Sequence, residues 1–440
     1  MFRLSNDEEL TTQKLGEFLS EHRQLLPRYI YLMDAYRTKY PIFFQKQKPE
    51  YKPDKRIAVN YAKYATDTFN GFFIGVPVKI SADDSKIADY VNMIDAYNDQ
   101  DDNNAELAKL CSIYGHAYEM YYVDDLGNLG ITYLAPTEAF MIYDDSILER
   151  PRYFVRVFTK ADDIVYVSVS DSSVVRYYDM TGGLHHLADQ DRMHGFDGVP
   201  ATEYVENAER VGLYEPVMTM INEYNEAISE KANDVAYFAD AYMKILGAKL
   251  DDEALEQIRD NRIINFEGLN DGNLIVDFLQ KPDGDASQEH LLDRLERLIF
   301  QIMMVANISD ENFGTASGIA LKYRLLAMSN MALAKQRKFT SGMNRRYKLL
   351  FSNPISLPYV KTEDWTKLKY TFTQNVPANL LEESQIAGNL SGIVSRQTQL
   401  SVLSCIDDVQ QEIDQIKKDE EDALTDGFPT NRMTDDDVLE

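Results

Sequence analysis

Residues 307–351 read NISDENFGTASGIALKYRLLAMSNMALAKQRKFTSGMNRRYKLLF, a short polar loop followed by a long stretch without proline. Ser317 is a residue type that caps helix N-termini well, so the pattern predicts a helix from 317 to 351, roughly 50 Å long at 1.5 Å per residue. Its apolar residues lie on more than one face, which predicts contacts with several neighbours. Gly342 marks a position where this helix can bend.

Two helices with narrow apolar seams are predicted before this stretch. The seam residues are Val217 and Tyr224 in the first helix, and Leu291, Leu295, Leu298 and Ile302 in the second. A repeat of about 3.5 residues predicts helices that pack lengthwise against partners, in the same subunit or the next. Asp293 and Arg297 stand four residues apart and would form a supporting ion pair on the second helix.

The rest of the chain alternates between helical and strand-like patterns. Helical spacing is found at 20–38, 54–74, 84–97 and 378–424, whereas short aromatic and β-branched runs separated by turn residues at 117–205 are typical of antiparallel hairpins. A mixed insert at 243–284 contains a helical piece at 252–259 and strand-like runs at 262–266 and 274–279, and another strand is expected at 368–373. The fold class predicted is α+β, dominated by helices.

Charge is strongly acidic and unevenly distributed. The 440 residues contain 72 Asp and Glu against 45 Lys and Arg, a net charge of −27. Such a chain is poorly suited to gripping nucleic acid through a basic surface. Residues 401–440 have a net charge of −10, whereas residues 312–361 have a net charge of +9 and contain no acid. We therefore expect the basic segment 312–361 to contact acidic neighbours or an anionic partner. Two cysteines, no signal peptide and no apolar span predict a soluble protein that is intracellular at synthesis, without membrane contact.

Motifs for catalysis are weak in this sequence. There is no phosphate-binding loop, and Ser317 lies in GTASG, which lacks the spacing of a nucleophile elbow. The segment containing His185, His186, Asp189, Asp191 and His194 has suitable ligand types for zinc but matches no recognised spacing. Acidic pairs such as Asp101-Asp102 fall at predicted turns, where Asp is common. We therefore predict no catalytic residue, metal or cofactor; the alternatives are a metal-dependent DNA-processing enzyme and a generic helical scaffold.

Five segments, taken in chain order, carry a family resemblance. They are RYIYLMDAY at 28–36, NGFFIGVPV at 70–78, LCSIYGHAY at 110–118, NISDENFGTASGIALK at 307–322 and GIVSRQTQL at 392–400. Together with the order of elements, they resemble the portal proteins, or head-to-tail connectors, of long-tailed, siphovirus-type bacteriophages. Each segment alone is a weak signal, but their order over about 20–425 is specific.

The resemblance implies a ring of about twelve subunits at one capsid vertex, through which double-stranded DNA is packaged and ejected. It divides the chain into N-terminal helices and wing sheet (1–212), first stem helix (213–242), clip (243–284), second stem helix (285–306), tunnel loop (307–316), long helix and return to the wing (317–377), crown (378–425) and an acidic tail (426–440). The partners implied are the terminase large subunit, a head-completion or adaptor protein, and the major capsid and scaffolding proteins. The protein would be made in the bacterial cytoplasm and reside in the virion.

The tunnel loop is the candidate site. Asp310 and Glu311 would repel DNA, whereas the other polar residues would make weak, sequence-independent contacts with the backbone. The loop residues singled out are Asn307, Ser309, Asp310, Glu311, Asn312, Phe313 and Thr315. Acidity, which argues against gripping DNA, is compatible with letting it slide.

Overall fold

Helices make up most of the regular structure in the computed structural model, which confirms the helix-dominated α+β class. It describes residues 1–49, 52–161, 163–239, 243–246, 263–266, 275–278, 285–308, 318–353, 360–376, 380–403, 405–406 and 409–426. The chain divides into two compact units, Met1–Asn375 and Val376–Glu440. No helix in these ranges has the length and apolarity needed to cross a bilayer.

The α-helices of the described ranges are, in chain order, α1 (Thr12–Tyr36), α2 (Tyr61–Ile74), α3 (Ser85–Tyr97), α4 (Gln100–Tyr114), α5 (Met218–Ala239), α6 (Asp285–Met303), α7 (Gly318–Ser352), α8 (Leu380–Leu390), α9 (Arg396–Leu400) and α10 (Val409–Asp426). The predicted helices near the N-terminus, the two before the loop, the long helix and the helical tail are therefore confirmed. Ser317, the predicted cap of α7, lies outside the described residues.

Helix α4 was not predicted, and Asp101 and Asp102 were wrongly placed in a turn. Both lie in the first turn of α4. Acidic side chains are favoured there because the helix dipole places partial positive charge at the N-terminus. A pair of aspartates is thus as consistent with a helix start as with a loop.

The strands are β1 (Phe2–Arg3), β2 (Lys79–Ala82), β3 (His116–Val123), β4 (Leu129–Leu134), β5 (Ala139–Tyr143), β6 (Pro151–Thr159), β7 (Val165–Ser170), β8 (Val174–Asp179), β9 (His185–His186), β10 (Arg192–Met193), β11 (Ala201–Val205), β12 (Met243–Leu246), β13 (Ile263–Phe266), β14 (Ile275–Phe278) and β15 (Leu368–Thr371). The largest sheet has the order β1-β5-β6-β7-β8-β10, with β9 on β8. Its hairpins are antiparallel as predicted, whereas β1 adds in parallel to β5.

Three smaller sheets are formed by other described residues of the first unit. Strand β3 pairs with β4 and β11, and β2 pairs with β15. In the insert at 243–284, β12 lies between β13, which is parallel to it, and β14, which is antiparallel. The two predicted strand runs of the insert are confirmed, β12 was missed, and the helical piece at 252–259 lies outside the described residues.

Helices α5 and α6 form an antiparallel pair. Lys231, late in α5, forms an ion pair with Glu289, which is early in α6. Near the other end, Tyr61 of α2 contacts both Tyr224 of α5 and Phe300 of α6 through edge-to-face ring contacts. Aromatic contacts therefore join the pair to the helices of the N-terminal region.

The segment 54–60, predicted as the beginning of the second helix, is neither helix nor strand. Three side chains of α5 bind its backbone: Asn225 Oδ1 accepts from Val59 N at 2.7 Å, Ser229 Oγ from Ile57 N at 2.9 Å, and Asn233 Oδ1 from Lys55 N at 2.6 Å. Every second residue of the segment thus bonds to every fourth residue of α5, and four helical residues span about 6 Å. These bonds satisfy backbone N–H groups of the segment without a helix, which explains why the helix predicted to begin at residue 54 begins later, at Tyr61.

Helix α7 packs against α2 and β11 within the largest apolar core. Gly342 contributes to this packing because a Cβ atom there would lie 2.4 Å from a ring carbon of Tyr204. A glycine was expected at a bend, but its observed role is to let the ring of a buried tyrosine approach the helix backbone.

Candidate functional site

The predicted tunnel loop begins where α6 ends. Met304 has a left-handed backbone conformation with φ 57°, and the chain then turns towards α2. Asn307 Nδ2 donates to Glu296 Oε1 at 2.9 Å, and Ile308 N donates to the hydroxyl of Tyr64 in α2 at 3.0 Å. The start of the loop is thus fixed to both helices.

The remaining loop residues lie outside the described residues. They are Ser309, Asp310, Glu311, Asn312, Phe313 and Thr315. Their approach to DNA stays a prediction. What the structure places is Asn307, whose side chain is held by Glu296 rather than free.

Some residues of the two predicted apolar seams are buried in the chain and others are exposed. Val217, just before α5, and Tyr224 are buried. On α6 the buried residues are Leu292, Ile299, Phe300 and Met303, while Leu295 and Leu298 are half-buried. Leu291 and Ile302 remain 50% and 42% exposed, so any lengthwise packing by them requires a surface outside the described residues of the chain. That packing remains a prediction.

Two cations of the basic segment, Arg346 and Lys335, are buried within the fold, and a third, Arg345, is half-buried. Arg346 is fully buried, and its Nε and Nη2 donate to the two carboxylate oxygens of Glu119 on β3, each at 2.8 Å. Nη2 also donates to Asn104 Oδ1 at 2.7 Å. Burial alone would lower the pKa of Arg346, but the Glu119 carboxylate raises it well above its usual value. This ion pair joins α7, β3 and α4.

Lys335 is also paired with a buried acid, whereas Arg345 forms no ion pair with a described residue. Lys335 Nζ lies 2.7 Å from Glu206 Oε2 and donates to Ser112 Oγ and Ala108 O. Arg345 donates to the carbonyls of Val199 and Ala201, and burial lowers its pKa. The sequence predicted acidic neighbours for the basic segment but not these individual partners; the available signal was an acid, Glu119, inside the largely aromatic strand HAYEMYYV.

Other cations of α7 remain at the surface. Lys322, Arg324, Arg337, Lys338 and Lys348 are exposed and form no ion pair with a described residue. The expectation that the basic segment pairs with acids is therefore met inside the same chain by Lys335 and Arg346. The exposed five keep their charge available to a partner.

The histidine-rich segment does not form a metal centre. His186 Nε2 lies 3.0 Å from Asp191 Oδ1, His194 Nε2 lies 3.1 Å from the carbonyl of Asp171, and His185 is exposed. Burial lowers the pKa of His194. Within the described ranges, no three His, Cys, Asp or Glu side chains converge on a point where they could hold a metal ion. The metal-dependent alternative therefore gains no support from these residues.

Comparison with known proteins adds to this geometry. Residues 15–426 match the family model described as phage portal protein, SPP1 Gp6-like. A portal protein of Clostridium phage phiCD119 is 22% identical over 394 residues, which cover 83% of this chain and 85% of the phage protein. A portal protein of Bacillus phage SPP1 is 23% identical over 408 residues, covering 87% and 80% of the respective chains.

Proposed function

This chain belongs to the SPP1 Gp6-like family of phage portal proteins, a structural family with a role in DNA packaging, and we propose that about twelve copies form a ring through which double-stranded DNA passes. The match across 15–426 is the observation that carries the proposal. The structure is compatible with it, since an antiparallel helix pair precedes the polar sequence 307–317 and a long helix follows it. The proposed role involves no catalytic step.

The regions take roles in this ring as follows. Helices α5 and α6 form the stem, the three-stranded insert at 243–284 the clip, residues 307–316 the tunnel loop, the N-terminal helices and sheets the wing, and residues 378–425 the crown. Burial of Arg346 and Lys335 supports the assignment of α7 to the wing, because Arg346 anchors it to β3 and Lys335 anchors it to α4 and to Glu206, directly after β11. An acidic loop would leave the DNA backbone free to slide.

The proposed partners follow from these roles. The clip would first bind the terminase large subunit and later a head-completion or adaptor protein, and the wing would contact the major capsid and scaffolding proteins. The ring would occupy one vertex of the virion after synthesis of its subunits in the bacterial cytoplasm.

Ring formation is tested directly by native mass measurement and electron-microscope class averages of the purified protein. Twelve copies of the 50.5 kDa chain should give an assembly of roughly 600 kDa with a central hole. A species that stays monomeric, both alone and with capsid and scaffolding proteins, would contradict the proposal.

The loop is tested by replacing Asp310 and Glu311 with lysine. Rings should form normally, but DNA packaging should fall because the lysines would hold phosphate groups. The matched control replaces Glu8 and Glu9, two exposed acids near the N-terminus, with lysine, which makes the same change in net charge. Unchanged DNA filling of particles in the loop variant would refute the assignment of these residues.

A further inference from the structure

The two stem helices carry opposite charges on their exposed faces. On α5, Glu223, Glu226 and Glu230 are exposed; on α6, Arg294 and Arg297 are exposed. The ion pair that links α5 to α6 is made by other residues, Lys231 and Glu289. The pair of helices therefore has one acidic and one basic outer surface.

The acidic face of α5 consists of Glu223, Glu226 and Glu230, which share one side because they are spaced by three and four residues. Glu230 forms an ion pair with Lys48 at 2.5 Å, but Glu223 and Glu226 pair with no described residue. Tyr31 lies beside them, since its hydroxyl accepts from Asn222 at 2.8 Å, and its side chain is 39% exposed. The face thus combines unpaired acids with an aromatic ring.

The basic face of α6 consists of Leu291, Arg294, Arg297, Leu298 and Ile302. Helical spacing places four of these residues on one side of α6, namely Leu291, Arg294, Leu298 and Ile302, with Arg297 at its margin. The buried residues of α6 lie on the opposite side. Neither arginine pairs with a described residue, and the expected ion pair between Asp293 and Arg297 is not among those formed. The face is therefore both cationic and apolar.

We propose that the basic face of α6 in one subunit packs against the acidic face of α5 in the next copy of the chain. The inference rests on the proposed ring and names its stem contact. The two faces are complementary in charge and lie on different helices, so the contact is heterologous, the type that closes into a ring. Exposed Leu291 and Ile302 are better covered by protein than by a water-filled channel.

Charge reversal tests the contact. One variant carries Glu223→Arg and Glu226→Arg; the other carries Arg294→Glu and Arg297→Glu. Each alone places like charges across the interface, so the fraction of protein in rings at low salt should fall about tenfold in native mass measurement. Mixing the two variants should restore rings in which they alternate, because each reversed face then meets a complementary one. Joining all four substitutions in one chain should restore rings as well.

Controls separate this contact from folding and from the ring itself. Glu8→Arg with Glu9→Arg has the same charge change as the α5 variant and should assemble normally. Circular dichroism checks that each variant folds. If the chain with Glu223→Arg and Glu226→Arg does not fold, Glu223→Gln with Glu226→Gln replaces it and should give a smaller loss of rings. If rings survive either charge reversal, the proposed stem contact is wrong, although the proposed ring stands. The same conclusion holds if reversing Glu223 and Glu226 changes only DNA packaging. Failure of the unaltered chain to form rings would instead overturn the proposed function.

Discussion

Arg346 lies in the core although its charge is typical of a surface residue. A planar guanidinium can satisfy both oxygens of one carboxylate, and here it does so with Glu119 while also donating to Asn104. The hydroxyls of Tyr121 and Tyr204 and the side-chain amide of Gln100 also donate to Glu119. The buried carboxylate therefore depends on several partners, of which only Arg346 brings a compensating charge.

Replacing Arg346 with methionine should destabilise the protein by about 3–5 kcal/mol, because Glu119 is left buried without its cation. Chemical denaturation monitored by circular dichroism measures this. Lys348→Met, an exposed change two residues away on α7, should alter the free energy of unfolding by less than about 0.5 kcal/mol. Similar small effects for the two variants would contradict the assigned role of the ion pair.

Asp95 gives a prediction about pH. Burial raises the pKa of Asp95 to about 6, although Arg346 and a hydrogen bond from Tyr347 oppose this rise. The stability contributed by the protonated carboxyl is complete below the unfolded pKa of about 3.9 and is lost as pH rises through about 6. Asp95→Asn should thus raise the melting temperature by about 2–4 °C at pH 8 and change it little at pH 4. An equal shift at both pH values would argue against titration of Asp95.

At the scale of elements, the packing of α7 on β11 depends on a missing side chain. The ring of Tyr204 occupies the space that a Cβ atom of residue 342 would need. Tyr204 is also buried and donates to Glu119, so the ring has little freedom to move.

Gly342→Ala should therefore destabilise the protein by about 1–3 kcal/mol despite the higher helix propensity of alanine. Gly16→Ala in α1 is the matched control, because nothing lies within 4 Å of the added Cβ atom there. That change should be neutral or slightly stabilising. Thermal unfolding measures the stability of both variants relative to the unaltered protein. A Gly342→Ala protein that is more stable would refute the packing argument.

Periodicity predicted most helices and strands, since it reports which side of an element is apolar. It failed at 54–60, where partners distant in sequence, Asn225, Ser229 and Asn233, decide the backbone conformation. It also could not show that Arg346 is buried, because a charged residue reveals its partner only after folding. For the candidate site, the sequence indicated the loop and the stem helices, but the division of α6 into a buried and an exposed face required the structure.

At the scale of the whole molecule, the division into two units makes a prediction about folding. Met1–Asn375 is a compact unit, and the ion pairs of Arg346 and Lys335 lie within it. A chain ending at Asn375 should therefore keep the first unit folded, with a melting temperature within about 4 °C of that of the full chain. Differential scanning calorimetry of the two proteins measures this. Loss of the cooperative transition in the shorter chain would show that the units fold together.

The three side chains of α5 that bind residues 55–59 also determine how force passes through the subunit. The bound segment leads directly into α2. A pull along α5 loads the bonds from Asn225, Ser229 and Asn233 in shear, so that they resist together instead of opening one after another. Helices α5 and α2 are thereby linked through residues 55–59, and we expect a displacement of one to draw the other with it.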